Sequence, residues 1–176
     1  MFVSDSDFQR ADWPLLQNGA VNLFLNPEIL ADACKALSAL DYEIAEVSCA
    51  GSATEFETEM SKALRWHEAF GYEKWTGNLN ALNDGFGCYP FGPSSRSALV
   101  LTEFDHLVAA DETRAQSMLD IIENWSRNHL LRGNYLIALV QTDDPHYECE
   151  GLGSRSANWN WREQFYVDRG LPRANP

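Results

Sequence analysis

The first third of the chain shows a strand pattern, a helix pattern and a second strand pattern. Residues 20–25 (AVNLFL) form an apolar run typical of a buried strand. Asn26 and Pro27 follow as a capping residue and a proline at the first helical position. Apolar residues then recur at three- and four-residue steps up to Leu40, which predicts an amphipathic helix. Residues 42–48 (YEIAEVS) alternate between apolar and polar, which predicts a strand at the sheet edge or with one exposed face.

A second helix is predicted directly after this strand. Residues 52–55 (SATE) have the capping-box pattern that marks a helix start. The apolar spacing predicts one helix that continues to Phe70 and ends at Gly71. His67 falls on the inward face of that helix, which favours a position in the core or at its rim over a catalytic role.

The last two predicted strands enclose a long helix. Residues 98–104 (ALVLTEF) predict a third strand that runs into a short helical turn at 104–108. Asp111 is placed to cap the long helix and Gly133 to end it. Residues 135–141 (YLIALVQ) form the continuous apolar run of a strand covered on both faces. Strands separated by helices imply parallel pairing, so the fold class is α/β, with a small parallel sheet flanked by helices.

The stretch at residues 74–87 (KWTGNLNALNDGFG) has the periodicity of a short helix but an unfavourable composition. Its apolar residues recur at helical spacing: Leu79, Leu82 and Phe86. Asparagines disfavour helix interiors because their amides compete for backbone groups. The polar residues nevertheless cluster on a second side: Asn80, Asn83 and Asp84, with Trp75 and Asn78 at the approach. This side is either an ordinary solvated face or an interaction surface.

Charge restricts the classes of partner. The chain of 176 residues carries 26 acidic and 13 basic residues, a formal net charge of −13. Nucleic-acid binders need positive charge to release counterions, so direct binding to nucleic acid is not expected. An acidic surface attracts basic proteins, although acidity can also serve solubility alone.

Motifs for catalysis, metal binding or membrane insertion are not evident. The sequence has no glycine-rich phosphate loop, H-E-x-x-H or G-x-S-x-G motif. Its four cysteines form no C-x-x-C pair, which predicts reduced thiols and no metal site. We expect no cofactor and no enzyme activity, with a small enzyme as the minority alternative. No signal peptide or membrane-spanning run is recognisable, so we expect a cytoplasmic protein that does not interact with membranes.

Residues 75–84 (WTGNLNALND) resemble the signature of the barstar family, aromatic–Gly–x–Asn–Leu–Asp–Ala–Leu–x–Asp. The order of predicted elements also matches that family over about residues 42–142. The resemblance implies a three-stranded parallel core, to which residues 1–41 add a lead-in, a strand and a helix. Residues 143–176 would then form a tail whose aromatic side chains pack on the body.

The resemblance implies a protein that inserts this helix into the active site of a basic ribonuclease or nuclease toxin. Asp84 falls on the family residue that imitates a substrate phosphate, and the acidic contact of the later helix falls near Glu123 or Asn124. The expected partner-binding residues are Trp75, Asn78, Leu79, Asn80, Asn83, Asp84, Gly87 and Tyr89. Asn80 replaces a family Asp and Asn83 a family aromatic residue. An adaptor for another basic protein, such as a different nuclease toxin, is therefore the alternative. The free protein is expected to be a monomer.

Overall fold

A five-stranded, all-parallel sheet forms the centre of the computed structural model, which describes residues 7–149, 151–153 and 155–171. The spatial order is β2-β3-β4-β1-β5. The strands are β1 (Val21–Phe24), β2 (Glu43–Ser48), β3 (Arg96–Thr102), β4 (Tyr135–Gln141) and β5 (Asn158–Trp159). The predicted α/β class with a small parallel sheet is confirmed.

Helices cover both faces of the sheet. They are α1 (Trp13–Leu16), α2 (Pro27–Ser38), α3 (Ala53–Ala63), α4 (Trp66–Phe70), α5 (Leu79–Gly87), α6 (Phe104–Ala110) and α7 (Glu112–Leu130), with 3-10 helices at Asp7–Gln9 and Tyr166–Arg169. Side chains of α1 and α2 pack on one face of the sheet, and those of α3, α5 and α7 pack on the other. The predicted caps are present: Asn26 accepts a hydrogen bond from the Glu28 N–H, Ser52 forms a capping box with Glu55, and Asp111 caps α7.

The first predicted strand is an inner strand of this sheet. Every residue of β1 is buried, and Leu23 lies opposite Val140 of β4 and Trp159 of β5. β2 forms one edge, as its alternating pattern predicts, and β4 is buried along its whole length. The added N-terminal strand therefore continues the same sheet as the strands at residues 42–142.

The single helix predicted over residues 52–70 is wrong, because it breaks into α3 and α4. Arg65 has a φ of +46°, in the left-handed region, and separates the two segments. The break shifts the helical phase, so Trp66 enters the core with 1% of its surface exposed. His67, expected on the inward face, is exposed instead.

The tail packs on the body differently from its prediction. Trp159 packs against the core as expected, whereas Trp161 is 65% exposed and Phe165 68%, so the expected packing of these last two side chains is wrong. The tail is held partly by polar groups: the buried Glu163 carboxylate accepts a 2.7 Å hydrogen bond from the Asn26 N–H. Arg169 in turn donates to the Glu163 carbonyl at 2.7 Å. Residues 1–6 and 172–176, the ends of the predicted outer segments, lie outside the described residues.

Candidate protein-binding site on α5

Asn78 starts α5 as its N-cap. Its backbone is extended, and its Oδ1 accepts hydrogen bonds from the N–H groups of Asn80 at 2.9 Å and Ala81 at 3.1 Å. These N–H groups have no partner within the helix, so a side-chain cap stabilises the helix start. One of the asparagines in this stretch is therefore explained by helix formation itself.

Two glycines let α5 lie between two tryptophan rings. A Cβ added to Gly85 would stand 2.6 Å from Cζ3 of Trp66, and one added to Gly87 would stand 2.8 Å from Cζ2 of Trp125. Neither distance is compatible with a real side chain. These glycines, which weaken a helix intrinsically, are required here by the close approach of the indoles.

α7 fixes α5 through two further hydrogen bonds. The Trp125 indole N–H donates to Asn83 Oδ1 at 2.9 Å, and His129 Nε2 lies 2.8 Å from the carbonyl oxygen of Phe86. Because a carbonyl oxygen only accepts, Nε2 of His129 is the donor of this bond. Both bonds join α7 to α5, so α7 holds α5 at two points along its length, Asn83 and Phe86.

Asn80 and Asp84 form the exposed side of α5. Both side chains are exposed, and within the described part of the chain neither makes a hydrogen bond or ion pair. Asp84 also lies in the second half of α5, where the helix carbonyls contribute negative potential. The helix thus presents a carboxylate that the fold itself does not use.

A groove of about 490 Å³ runs between α5 and α7. Leu79, Asn80 and Asn83 line its α5 side. The α7 side is lined by Thr113, Gln116, Ser117, Asp120 and Ile121. Sequence analysis did not single out this α7 wall, although its polar residues recur at three- and four-residue steps. The lining thus carries amide, hydroxyl and carboxylate groups, and the Asp120 carboxylate already accepts a hydrogen bond from the Gly153 N–H at 2.8 Å.

Trp75 and Tyr89 do not form part of the exposed surface, which corrects two of the expected contacts. Trp75 is 1% exposed, and its indole N–H donates to the Asn78 carbonyl at 2.7 Å. Tyr89 is 7% exposed and stacks on Phe86 with ring centroids 6.0 Å apart. Burial raises the pKa of the Tyr89 hydroxyl above its usual range. Both side chains belong to the core that supports α5.

Of the two residues expected to supply a later-helix contact, only Asn124 is exposed. Glu123 is 4% exposed, and its carboxylate accepts a 2.6 Å hydrogen bond from the Ala20 N–H at the start of β1. Its charge is thus used within the protein. The expectation of an acidic partner contact at Glu123 is wrong.

Among the described residues, no group of three or more His, Cys, Asp or Glu side chains is arranged to hold a metal ion. No helix in this part of the chain is long and apolar enough to cross a bilayer. Comparisons of the sequence and structure with family models, curated proteins and solved structures found no match.

Proposed function

We propose that this chain is a barstar-like inhibitor, or immunity protein, that binds and blocks the active site of a basic ribonuclease or ribonuclease-like toxin. The observation that carries the proposal is the exposed Asp84 carboxylate, which has no partner among the described residues. Other unfavourable helix residues nearby have structural explanations: Asn78 caps α5, Asn83 binds Trp125, and Gly87 admits the Trp125 ring. Asp84, like Asn80, has no such explanation, which supports selection of this side of α5 for a contact outside the chain.

The chemistry of Asp84 fits a cationic active site. A ribonuclease binds substrate phosphates with arginine and lysine, and a carboxylate matches the planar fork of arginine in charge and shape. The α5 carbonyls reinforce the negative potential at Asp84. The net charge of −13 would increase the rate of encounter with a basic partner.

The alternative, an adaptor for another basic protein such as a different nuclease toxin, is favoured by the buried aromatic residues. Trp75 and Tyr89 are not accessible for the contacts that the resemblance implies. Asn80 also lacks the second charge of the family pattern. The partner surface in this alternative is basic but differs from that of the ribonucleases that the family inhibits.

Inhibition of purified basic microbial ribonucleases tests the proposal. The full chain is added to each member of a panel, and RNA cleavage and binding heat are measured. Asp84→Asn is compared with Glu28→Gln, which removes the same charge from an exposed residue of α2 on the other sheet face. Truncating one partner of a buried charge pair costs about 2–5 kcal/mol, a range measured in part on the resembled family.

We expect Asp84→Asn to weaken binding by more than tenfold and Glu28→Gln to leave it within about twofold. Equal affinity of Asp84→Asn and the unmodified chain would remove Asp84 from the site. If no ribonuclease of the panel is bound or inhibited, the inhibitor proposal fails. As an immunity protein the chain would act in the cytoplasm, as a monomer when free, without a cofactor.

A further inference from the structure

The bond between Trp125 and Asn83 determines which way the Asn83 amide faces. An indole N–H can only donate, so the atom 2.9 Å from it must be the amide oxygen of Asn83. The Asn83 NH₂ group is therefore directed away from Trp125. Asn83 is half-buried and lines the groove between α5 and α7. Within the described residues its NH₂ group donates no hydrogen bond.

The same reasoning applies to Asn78 at the start of the helix. Two backbone N–H groups donate to one of its side-chain atoms, which must again be the oxygen. Both amides are therefore held by their oxygens, and both leave their NH₂ donors for a partner. The carboxylate of Asp84, the residue after Asn83 in the sequence and exposed beside the groove, can only accept. The surface of α5 thus combines an unpartnered acceptor, Asp84, with amide donors held in place at Asn78 and Asn83.

We propose that Asn83 selects the partner of this surface by donating a hydrogen bond to an oxygen acceptor beside the cation that meets Asp84. This inference rests on the proposed function and specifies the partner further: a basic protein with a main-chain carbonyl or a carboxylate at that point. A partner with only cations there would leave the Asn83 donors unpaired on burial, which is costly. Trp125 is the positioning residue, because its indole holds the amide in this orientation.

Asn83→Asp is the decisive substitution. It keeps an oxygen for the Trp125 N–H and nearly the same shape, but it replaces the outward NH₂ donor by an acceptor. Asn80→Asp is the matched control: it adds the same charge to the exposed side of the same helix, at a side chain without an internal hydrogen bond. Any general attraction between added negative charge and a basic partner affects both variants alike.

With a ribonuclease that binds the unmodified chain, we expect Asn83→Asp to weaken binding at least tenfold and Asn80→Asp to leave it unchanged or tighten it. If Asn83→Asp tightens binding or changes it by the same factor as Asn80→Asp, this inference is wrong while the proposed function stands. If no ribonuclease binds the unmodified chain, the proposed function fails and this inference fails with it.

The salt dependence of the affinity lost in Asn83→Asp distinguishes a carboxylate of the partner from a main-chain carbonyl. Repulsion between a carboxylate of the partner and the carboxylate introduced by Asn83→Asp decreases as salt screens it, so the loss in affinity shrinks between about 50 mM and 500 mM salt. Loss of a hydrogen bond to a neutral carbonyl depends much less on salt. Either result supports an oxygen acceptor and identifies its source.

Hydrogen exchange of the indole N–H groups tests the amide orientation without a partner. We expect the Trp125 N–H to exchange much more slowly than that of Trp161, whose side chain is 65% exposed. The protection should persist in Asn83→Asp and decrease in Asn83→Leu, which has no acceptor. Equal exchange of the two indoles in the unmodified chain would overturn the assigned orientation.

Discussion

The indole of Trp125 packs directly on the backbone of Gly87, and a Cβ at Gly87 would lie 2.8 Å from Cζ2 of that ring. The same indole donates to Asn83, one helical turn earlier in α5. Trp125 therefore contacts α5 through its ring and through its N–H. These two contacts make the position of the candidate site depend on the packing of α7.

Gly87→Ala should destabilise the protein. Overpacking of a filled core costs about 1–3 kcal/mol, and the gain of about 0.5–1 kcal/mol that alanine brings in the middle of a helix is not expected in full at Gly87, the last residue of α5. The free energy of unfolding from urea titration measures the difference. In a Trp125→Phe background the smaller ring relieves the clash, so the same substitution should cost clearly less. An equal cost in both backgrounds would show that Trp125 does not restrict position 87.

Glu163→Gln should gain stability relative to the unmodified chain as pH rises. Burial raises the pKa of the Glu163 carboxyl above its usual value. The hydrogen bonds from the Asn26 and Leu25 N–H groups lower this pKa, but by less than burial raises it. A raised folded-state pKa favours the protonated carboxyl in the folded protein. The protonated Glu163 carboxyl therefore adds its full contribution to the stability of the folded protein below the unfolded pKa of about 4.3. This contribution is lost as pH rises through the folded pKa.

Urea unfolding at several pH values between about 4 and 7 measures this trend, with Glu28→Gln as the control for the change in charge. As pH increases, the unfolding free energy of Glu163→Gln should rise relative to that of the unmodified chain. A constant difference, or one that shifts the other way, would contradict the assigned effect of burial.

Cys88 should be the thiol that reacts fastest with a disulfide reagent in the folded protein. Cys88 is exposed after α5, whereas Cys49 and Cys149 are buried. Burial and nearby carboxylates, those of Asp105, Glu103 and Glu59, raise the pKa of Cys49 to about 12. The thiolate is the reactive form, so Cys49 should react only after unfolding. Cys88→Ser should abolish the fast phase; a fast phase that survives would contradict the expected accessibility.

Association with a basic ribonuclease should slow steeply as salt increases. The net charge of −13 creates a long-range field that attracts a cationic partner, and salt screens this field beyond about 10 Å at 0.1 M. Stopped-flow mixing across a salt series measures the rate constant. A rate that is independent of salt would show that the charge does not steer association.

The main elements could be predicted from local sequence signals. The long apolar runs at residues 98–104 and 135–141 became β3 and β4, and the caps at Asn26, Ser52 and Asp111 start their helices as predicted. These signals depend on side chains a few residues apart, which is why sequence alone contains them. β5 was missed because it has only two residues and pairs through contacts with the distant β1.

The sequence by itself determined the α/β class, the parallel strands, the acidic charge and a helix with an unusual polar side. Only the tertiary structure decided which of those polar residues are accessible to a partner. Trp75 is buried beside Phe56 of α3 and Arg114 of α7, and Asn83 is held by Trp125, 42 residues later. Such contacts depend on how helices approach one another in three dimensions, and local periodicity carries no information about that approach. For this reason Asp84 stands out as the unpartnered carboxylate of α5 only once the chain is folded.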